Sequence, residues 1–179
     1  MREIIILGRG GQGAQTAGNL LARAFYEEGL QVQTFATYGG ARRGTPVLAS
    51  LRVDEQPIRL RCNIETASAM LVFDDSLLDE NFLKAATSTT KILVNSSRPK
   101  ESYESFGDYQ ITPVDGKTIA KNNGMGKVIN SSLLGAFVAI LEQPDIETMC
   151  QIVEQMAPVK PQQNIVSCRE GYQQMQTNF

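Results

Sequence analysis

The chain has 179 residues, of which 42% are hydrophobic and 20% charged, which is ordinary for one α/β domain with a sizeable core. Its net charge of −2 gives no electrostatic basis for binding nucleic acid or an acidic membrane surface. The longest apolar runs, at 69–73 and 133–141, are too short to span a bilayer. We therefore expect a single domain over residues 1–179 with no nucleic-acid or membrane partner.

Several residue types that carry catalytic or redox chemistry are missing. The chain has no histidine, which is the commonest general base and metal ligand. Its three cysteines are scattered without C-x-x-C spacing, so neither a zinc site nor an iron–sulfur cluster can be built from this chain alone. The odd cysteine count and the lack of a signal-like leader indicate a reducing cytoplasm. We expect no catalytic residue and no metal site in this chain, and any chemistry to be shared with another chain.

Hydrophobic patterning predicts strands alternating with helices. A strand at 3–7 leads through a glycine turn at 8–13 into a helix at 14–28, followed by a strand at 31–37. Residues 46–53 and 57–60 are expected to pair as a hairpin. Later strands are predicted at 69–73, 91–94 and 109–114, and later helices at 76–86, 131–141, 145–156 and 162–176. This order predicts a three-layer α/β sandwich with a Rossmann-like start, whose β-sheet is mixed because of the hairpin.

The glycine turn is the first candidate binding site. Its sequence, Gly8-Arg9-Gly10-Gly11-Gln12-Gly13, matches G-x-G-x-x-G after a strand and at a helix start, where free N–H groups favour an anion. A tight turn without a ligand is the alternative. Residues 33–37, where a nicotinamide-binding domain holds the ribose with an acid, contain no carboxylate, which disfavours NAD.

Two arginines follow in the loop at 38–45. Arg42 and Arg43 could meet a ribose phosphate, which leaves NADP or coenzyme A open, although exposed surface charge is the commoner use of paired arginines. The candidate ligand-binding residues are therefore Gly10, Gly11, Gln12, Gly13, Arg42 and Arg43.

Polar residues at two predicted strand ends and one glycine in a predicted helix are further positions with a possible role. Asp74 and Asp75 follow a strand, where open α/β sheets place ligands, but a helix cap at Asp75 is favoured. The segment 95–97 (Asn-Ser-Ser) favours a turn over a ligand site. Gly135 lies inside an apolar helix, where glycine costs about 1 kcal/mol relative to alanine, so we expect another element to approach it closely.

The glycine turn followed by Thr16-Ala17 resembles the G-R-G-G-Q-G-x-x-T-A opening of the gamma component of 2-oxoacid:ferredoxin oxidoreductases. Residues 42–47 resemble the R-R-G-x-P-V stretch of the same family, in the form of its pyruvate and 2-oxoisovalerate branches. Ala41 departs from the glutamate that pyruvate-type members often carry there. Further similarities, which extend the resemblance over almost the whole chain, are Asp74 with Ser76-Leu77-Leu78, Val94-Asn95-Ser96, Leu134-Gly135-Ala136, Asn164 and Gly171-Tyr172.

The resemblance implies a multisubunit enzyme that oxidatively decarboxylates a 2-oxoacid to an acyl-coenzyme A, carbon dioxide and reduced ferredoxin. Thiamine diphosphate and the iron–sulfur clusters would lie on the alpha, beta and ferredoxin-like delta subunits, and this chain would contact coenzyme A. Two alternatives remain open, namely a free-standing NADP- or nucleotide-binding oxidoreductase and a nucleotide-sensing assembly module. The isolated chain could also form a homodimer, and we expect it neither to oxidise a 2-oxoacid nor to bind NADH.

Overall fold

A six-stranded mixed sheet, covered on both faces, forms the centre of a computed structural model that describes residues 1–40 and 44–177. The strands are β1 (Arg2–Arg9), β2 (Gln31–Tyr38), β3 (Pro46–Asp54), β4 (Ala69–Val72), β5 (Lys91–Asn95) and β6 (Gln110–Val114). The helices are α1 (Ala14–Glu27), α2 (Glu80–Leu83), α3 (Gly116–Asn122), α4 (Asn130–Leu141), α5 (Ile146–Met156) and α6 (Pro161–Gln176), with 3-10 turns at Asp75–Leu77 and Lys100–Phe106. The predicted α/β class with a mixed sheet is confirmed.

The strand order is β2-β3-β1-β4-β5-β6, and it corrects one prediction. The hairpin between 46–53 and 57–60 is wrong, because β3 pairs antiparallel with both β1 and β2, and residues 57–60 form no strand. The buried guanidinium of Arg52 on β3 donates to the carbonyl of Cys62 at 2.9 Å, which holds the following segment across the face of the sheet. Because β3 is antiparallel to both of them, β1 and β2 run in the same direction and end at the same edge of the sheet.

Alternate strand residues divide between two cores, as the two-residue period of a strand requires. Ile4 and Ile6 of β1 face the layer formed by α1, α4, α5 and α6, whereas Ile5 faces the opposite layer. That second layer is thin, since its buried side chains come from short segments, among them Leu83 of α2 and Tyr103 of the second 3-10 turn. The three-layer arrangement is therefore present, with unequal outer layers.

All the predicted later helices but one are present, and α3 is an additional helix that was not predicted. α4, α5 and α6 each begin within one residue of the predicted start. The predicted helix at 76–86 is instead a 3-10 turn followed by the four-residue α2, because the Asp79 carboxylate accepts the Phe82 N–H at 2.8 Å and starts a new helix there. No helix in the described residues is both long and apolar enough to cross a membrane.

The close approach expected at Gly135 is confirmed. A Cβ atom at Gly135 would lie 1.8 Å from the carbonyl oxygen of Cys168 on α6, and one at Gly171 would lie 2.0 Å from the carbonyl oxygen of Ser132 on α4. The backbones of α4 and α6 therefore touch at Gly135 and Gly171, where no side chain would fit.

Candidate functional site

The glycine turn between β1 and α1 places unpaired N–H groups at one edge of the sheet. Gly11 and Gly13 have φ values of 95° and 94°, which strain any other L-residue. Gly13 immediately precedes α1, and no side chain caps this helix. The N–H groups of residues 14–16 consequently have no partner within the helix, and the helix dipole adds a partial positive charge there. This arrangement favours an anion.

A cleft of about 830 Å³ opens in front of the turn. The glycine turn, the first turn of α1 and the ends of β2 and β3 line it, with Tyr38 and Thr45 on the side of the sheet edge. The Gly10 N–H donates to the Thr45 carbonyl at 2.8 Å, and the Gly44 N–H donates to the Gly10 carbonyl at 3.3 Å. The glycine turn and the end of the loop after β2 therefore share one crevice.

Arg9, inside the glycine turn, ties three loops together at this edge. Its Nε donates to Asp74 Oδ2 at 3.0 Å, its Nη2 to Ser76 Oγ at 2.9 Å and its Nη1 to the Gly44 carbonyl at 3.3 Å. In the part of the chain that the structure describes, these bonds use three of the five guanidinium donors and leave two for a ligand. Gln12 closes the network, since its Oε1 accepts the Arg9 N–H at 2.7 Å and its Nε2 donates to Asp74 at 3.1 Å.

Asp74 remains ionised in this network. Burial alone would raise the pKa of its carboxyl, but hydrogen bonds from Ser76, Gln12 and Arg9 outweigh that effect and hold the pKa at about 2. The carboxylate is thus a permanent charge partner for Arg9. β1 and β4 are adjacent parallel strands whose connections leave in opposite directions along the sheet, so the network lies at the position where open α/β sheets bind ligands.

The structure brings part of the predicted site together. Gly10, Gly11 and Gly13 line the cleft. Gln12 does not line it, because both ends of its amide are used within the Arg9–Asp74 network. Arg42 and Arg43 lie outside the described residues, so their contact with a ligand stays a prediction.

Arg9 and Tyr38 are among the cleft-lining residues that sequence reasoning missed. The signal for Arg9 was its place within the glycine turn. The signal for Tyr38 was its position at the end of β2, beside the turn that follows β1.

The polar residues at the other strand ends are structural. Asp74, rather than the predicted Asp75, caps the 3-10 turn by accepting the Ser76 N–H at 3.2 Å. The Asp75 carboxylate pairs with Arg98 at 3.0 Å. Asn95 is buried, donates to the Phe73 carbonyl at 3.0 Å and accepts the N–H of residue 116 at 3.1 Å, so it joins the ends of β4, β5 and the start of α3.

The three thiols do not form a metal or disulfide site. Cys150 and Cys168 are free and buried, and Cys62 is free and exposed. Among residues 1–40 and 44–177, no group of three or more histidine, cysteine or acidic side chains is arranged to hold a metal ion. The glycine-turn cleft is therefore the candidate for a ligand.

Comparison with known proteins identifies similar chains over nearly the full length. Residues 3–174 match the family model described as pyruvate ferredoxin/flavodoxin oxidoreductase. Pyruvate synthase subunit PorC of Methanothermobacter thermautotrophicus is 30% identical over 178 residues, which cover 98% of this chain and 97% of that protein. The common gamma subunit of the pyruvate/ketoisovalerate oxidoreductases of Pyrococcus abyssi is 35% identical over 183 residues, 98% of each chain. The crystal structure of pyruvate oxidoreductase subunit PORC from Thermotoga maritima gives a TM-score of 0.85 at 29% identity and covers 96% of this chain and 95% of that one.

Proposed function

This chain belongs to the pyruvate ferredoxin/flavodoxin oxidoreductase family, and we propose that it is the gamma subunit of a complex that oxidatively decarboxylates a pyruvate-like 2-oxoacid. The products are an acyl-coenzyme A, carbon dioxide and reduced ferredoxin. Thiamine diphosphate, which supplies the decarboxylation chemistry, and the iron–sulfur clusters lie on the alpha, beta and ferredoxin-like delta subunits. The chain acts as a single cytoplasmic domain that binds and orients, and it carries no catalytic residue.

The ligand of the glycine-turn cleft in this proposal is coenzyme A. The observation that carries this role is the uncapped start of α1, which opens into a cleft of about 830 Å³. That volume lies in the range of small-molecule sites. Coenzyme A has a diphosphate, which suits helix-start N–H groups, and a ribose phosphate, which suits an arginine.

Particular residues have separate roles in this binding site. Gly10, Gly11 and Gly13 let the diphosphate approach the backbone, while Gln12 keeps the turn in shape through Asp74. The two remaining donors of Arg9, together with Arg42 and Arg43 of the neighbouring loop, supply positive charge for the phosphates. Because Asp74 fixes Arg9 and Gln12 before any ligand arrives, little ordering of the turn opposes binding.

Replacing Arg43 by alanine in the assembled complex tests the coenzyme A role. Loss of one charge-assisted contact costs about 1.5–3 kcal/mol, or roughly ten- to a hundredfold in affinity. We expect the apparent constant for coenzyme A to rise by that factor while the constant for the 2-oxoacid changes little. Steady-state rates with each substrate varied in turn give both constants.

A matched control removes another arginine. Arg59 is exposed in the segment after β3, beyond the opposite end of that strand from the cleft, and Arg59→Ala should leave both constants unchanged. Gel filtration establishes first that each variant assembles. An Arg43→Ala complex with normal composition and unchanged coenzyme A dependence contradicts the ligand role.

The subunit assignment itself has a separate test. Purification from the source cells should yield the chain together with larger thiamine- and iron–sulfur-bearing subunits. A free-standing nucleotide-binding oxidoreductase would purify alone and bind NADPH or NADH, for which β2 offers no carboxylate. Turnover of pyruvate with a viologen dye by the chain alone, or micromolar NADH affinity in calorimetry, would reject the assignment.

A further inference from the structure

The two edges of the sheet are protected to very different extents. β6, at one edge, has five residues, contains Pro113 and has the second 3-10 turn packed against it. β2, at the other edge, has eight residues, QVQTFATY, with neither a charged side chain nor a proline. Within residues 1–40 and 44–177, no strand pairs with the outer side of β2. Exposed edges normally carry charges, prolines or bulges that block further pairing, so β2 has the character of an edge that is covered in the working protein.

Exposed apolar side chains flank this edge. On the helical face, Tyr26 of α1 is 55% exposed and Met156 of α5 is 50% exposed, and both border a shallow depression of about 360 Å³ with Val32 of β2. On the opposite face, the Leu60 carbonyl accepts from Gln33 of β2, and its side chain is 44% exposed. A segment that paired with the backbone of β2 would therefore meet apolar contacts on both faces.

The same edge leads directly to the coenzyme A cleft. Val32 lies near the start of β2, and Tyr38, which is 62% exposed, ends the strand and forms part of the cleft wall. A partner that followed β2 for its length, roughly 25 Å, would end at the mouth of the cleft. The β2 edge and the proposed coenzyme A site are therefore continuous on the surface of this chain.

From these observations we propose that the outer edge of β2 pairs with an extended, apolar segment of another subunit of the complex, which continues the sheet and closes the cleft beside Tyr38. This inference rests on the proposed function, because the partner is a subunit of that complex. The occupant is another subunit rather than a second copy of this chain. Antiparallel pairing of two β2 strands would set Tyr38 of one copy against Gln31 of the other, so each cleft would face a chain without catalytic groups.

Photo-cross-linking in the purified, assembled complex tests the identity of the occupant. A benzophenone side chain in place of Met156 should link this chain to a larger subunit, and mass spectrometry should place the link near an extended segment. A product of two gamma chains, or no product, would overturn the proposal. In the same complex, amide exchange on the outer side of β2 should be at least about tenfold slower than that of unprotected amides. Unprotected exchange along β2 would also overturn it.

Two lysine substitutions at equally exposed residues test whether assembly depends on the β2 edge in particular. Met156→Lys introduces a charge beside β2, whereas Val166→Lys does so on α6, where the side chain is 51% exposed. We expect Met156→Lys to weaken assembly about tenfold or more and Val166→Lys to leave it unchanged. Equal effects of both substitutions would refute a role for the β2 edge. A complex that assembles with normal coenzyme A dependence but an unprotected β2 rejects only this docking surface, whereas a chain that never joins larger subunits rejects the proposed function as well.

Discussion

Replacing Gly135 by alanine tests how closely α4 and α6 pack. The new Cβ would lie 1.8 Å from the carbonyl oxygen of Cys168, and the reciprocal contact at Gly171 is almost as close, 2.0 Å from the carbonyl oxygen of Ser132. The clashing atoms belong to the helix backbone at the buried residues Cys168 and Ser132, so no flexible side chain can move aside. The two helices themselves would have to separate, which disturbs the larger of the two cores.

The expected loss of stability combines two opposing effects. Overpacking a filled core costs about 1–3 kcal/mol, and a backbone clash as close as this lies at the upper end of that range. Alanine stabilises a helix interior by about 1 kcal/mol relative to glycine. We therefore expect the free energy of unfolding to fall by about 2 kcal/mol, which lowers Tm by about 4–8 °C in a chain of this length.

Thermal unfolding followed by circular dichroism measures this change, with Gly18→Ala as the matched control. Gly18 also lies inside a helix, but its nearest contact would be the Cβ of Ala49 at 3.3 Å, so a small shift accommodates the methyl group. The control should melt within about 2 °C of the wild type. If Gly135→Ala melts with the control, the backbone contact between α4 and α6 is not as close as the structure shows.

Three further predictions concern the buried arginine and the glycine-turn network. Asp74 has a folded-state pKa of about 2, below its usual value of 3.8, so it contributes stability that is complete above about pH 4 and lost as pH falls towards 2. Urea unfolding of Asp74→Asn should lack this slope, worth about 1 kcal/mol after allowance for solvent screening. Arg52→Met removes the donor of three hydrogen bonds, two of them to the half-buried side chains of Glu3 and Gln33, and should reduce the free energy of unfolding by about 3 kcal/mol, whereas an unchanged urea midpoint would show that water replaces the guanidinium. Gly13→Ala should melt about 1–2 °C below Gly11→Ala, because both have positive φ but only at Gly13 would a Cβ meet Asn130, at 2.7 Å, and the Asn130 amide has to turn aside; equal melting temperatures would remove that contact as the cause.

Local sequence patterns were sufficient for most elements, and they failed where a strand needed a distant partner. The buried run of β4 and the apolar stripe of α5 are visible within each segment alone. The pattern at 46–60 also resembles a hairpin locally. The partners of β3, however, are β1 and β2, and the segment after β3 is placed by the hydrogen-bonding needs of buried Arg52, which no local pattern contains.

One helix escaped prediction because its signal is short. α3 has seven residues, of which Ile119 and Ala120 are buried, so no hydrophobic period can be read from it. The cap was available in the sequence, since Asp115 accepts the Thr118 N–H at 2.9 Å three residues later. Packing of α3 against α4 and α6, which the sequence does not show, stabilises so short a helix.

The candidate site was also predicted only where its signal is local. The glycine turn was found because its residues are contiguous and its constraint is local, namely positive φ at Gly11 and Gly13. The contact between Arg9 and Asp74 joins positions 65 residues apart. Sheet topology brings them together, because the loops after β1 and β4 leave adjacent parallel strands at the same edge. The strand order would have predicted the contact between Arg9 and Asp74, but local sequence patterns do not reveal that order.

Two departures from the usual rules of folding lie beside the same cleft, and their position supports the functional proposals. α2, α3 and α5 each begin at an aspartate whose carboxylate accepts a backbone N–H, whereas α1, α4 and α6 begin without a side-chain cap. Of these three uncapped starts, that of α1 opens into the cleft. The short β6 edge carries a proline, whereas the long β2 edge has neither proline nor charge and ends at the same cleft. An uncapped helix start and an unprotected edge both lower the stability of an isolated chain. Sequences retain such departures mainly where function requires them. Because these two meet at Tyr38, a ligand in the cleft and a partner strand on β2 would satisfy both at once.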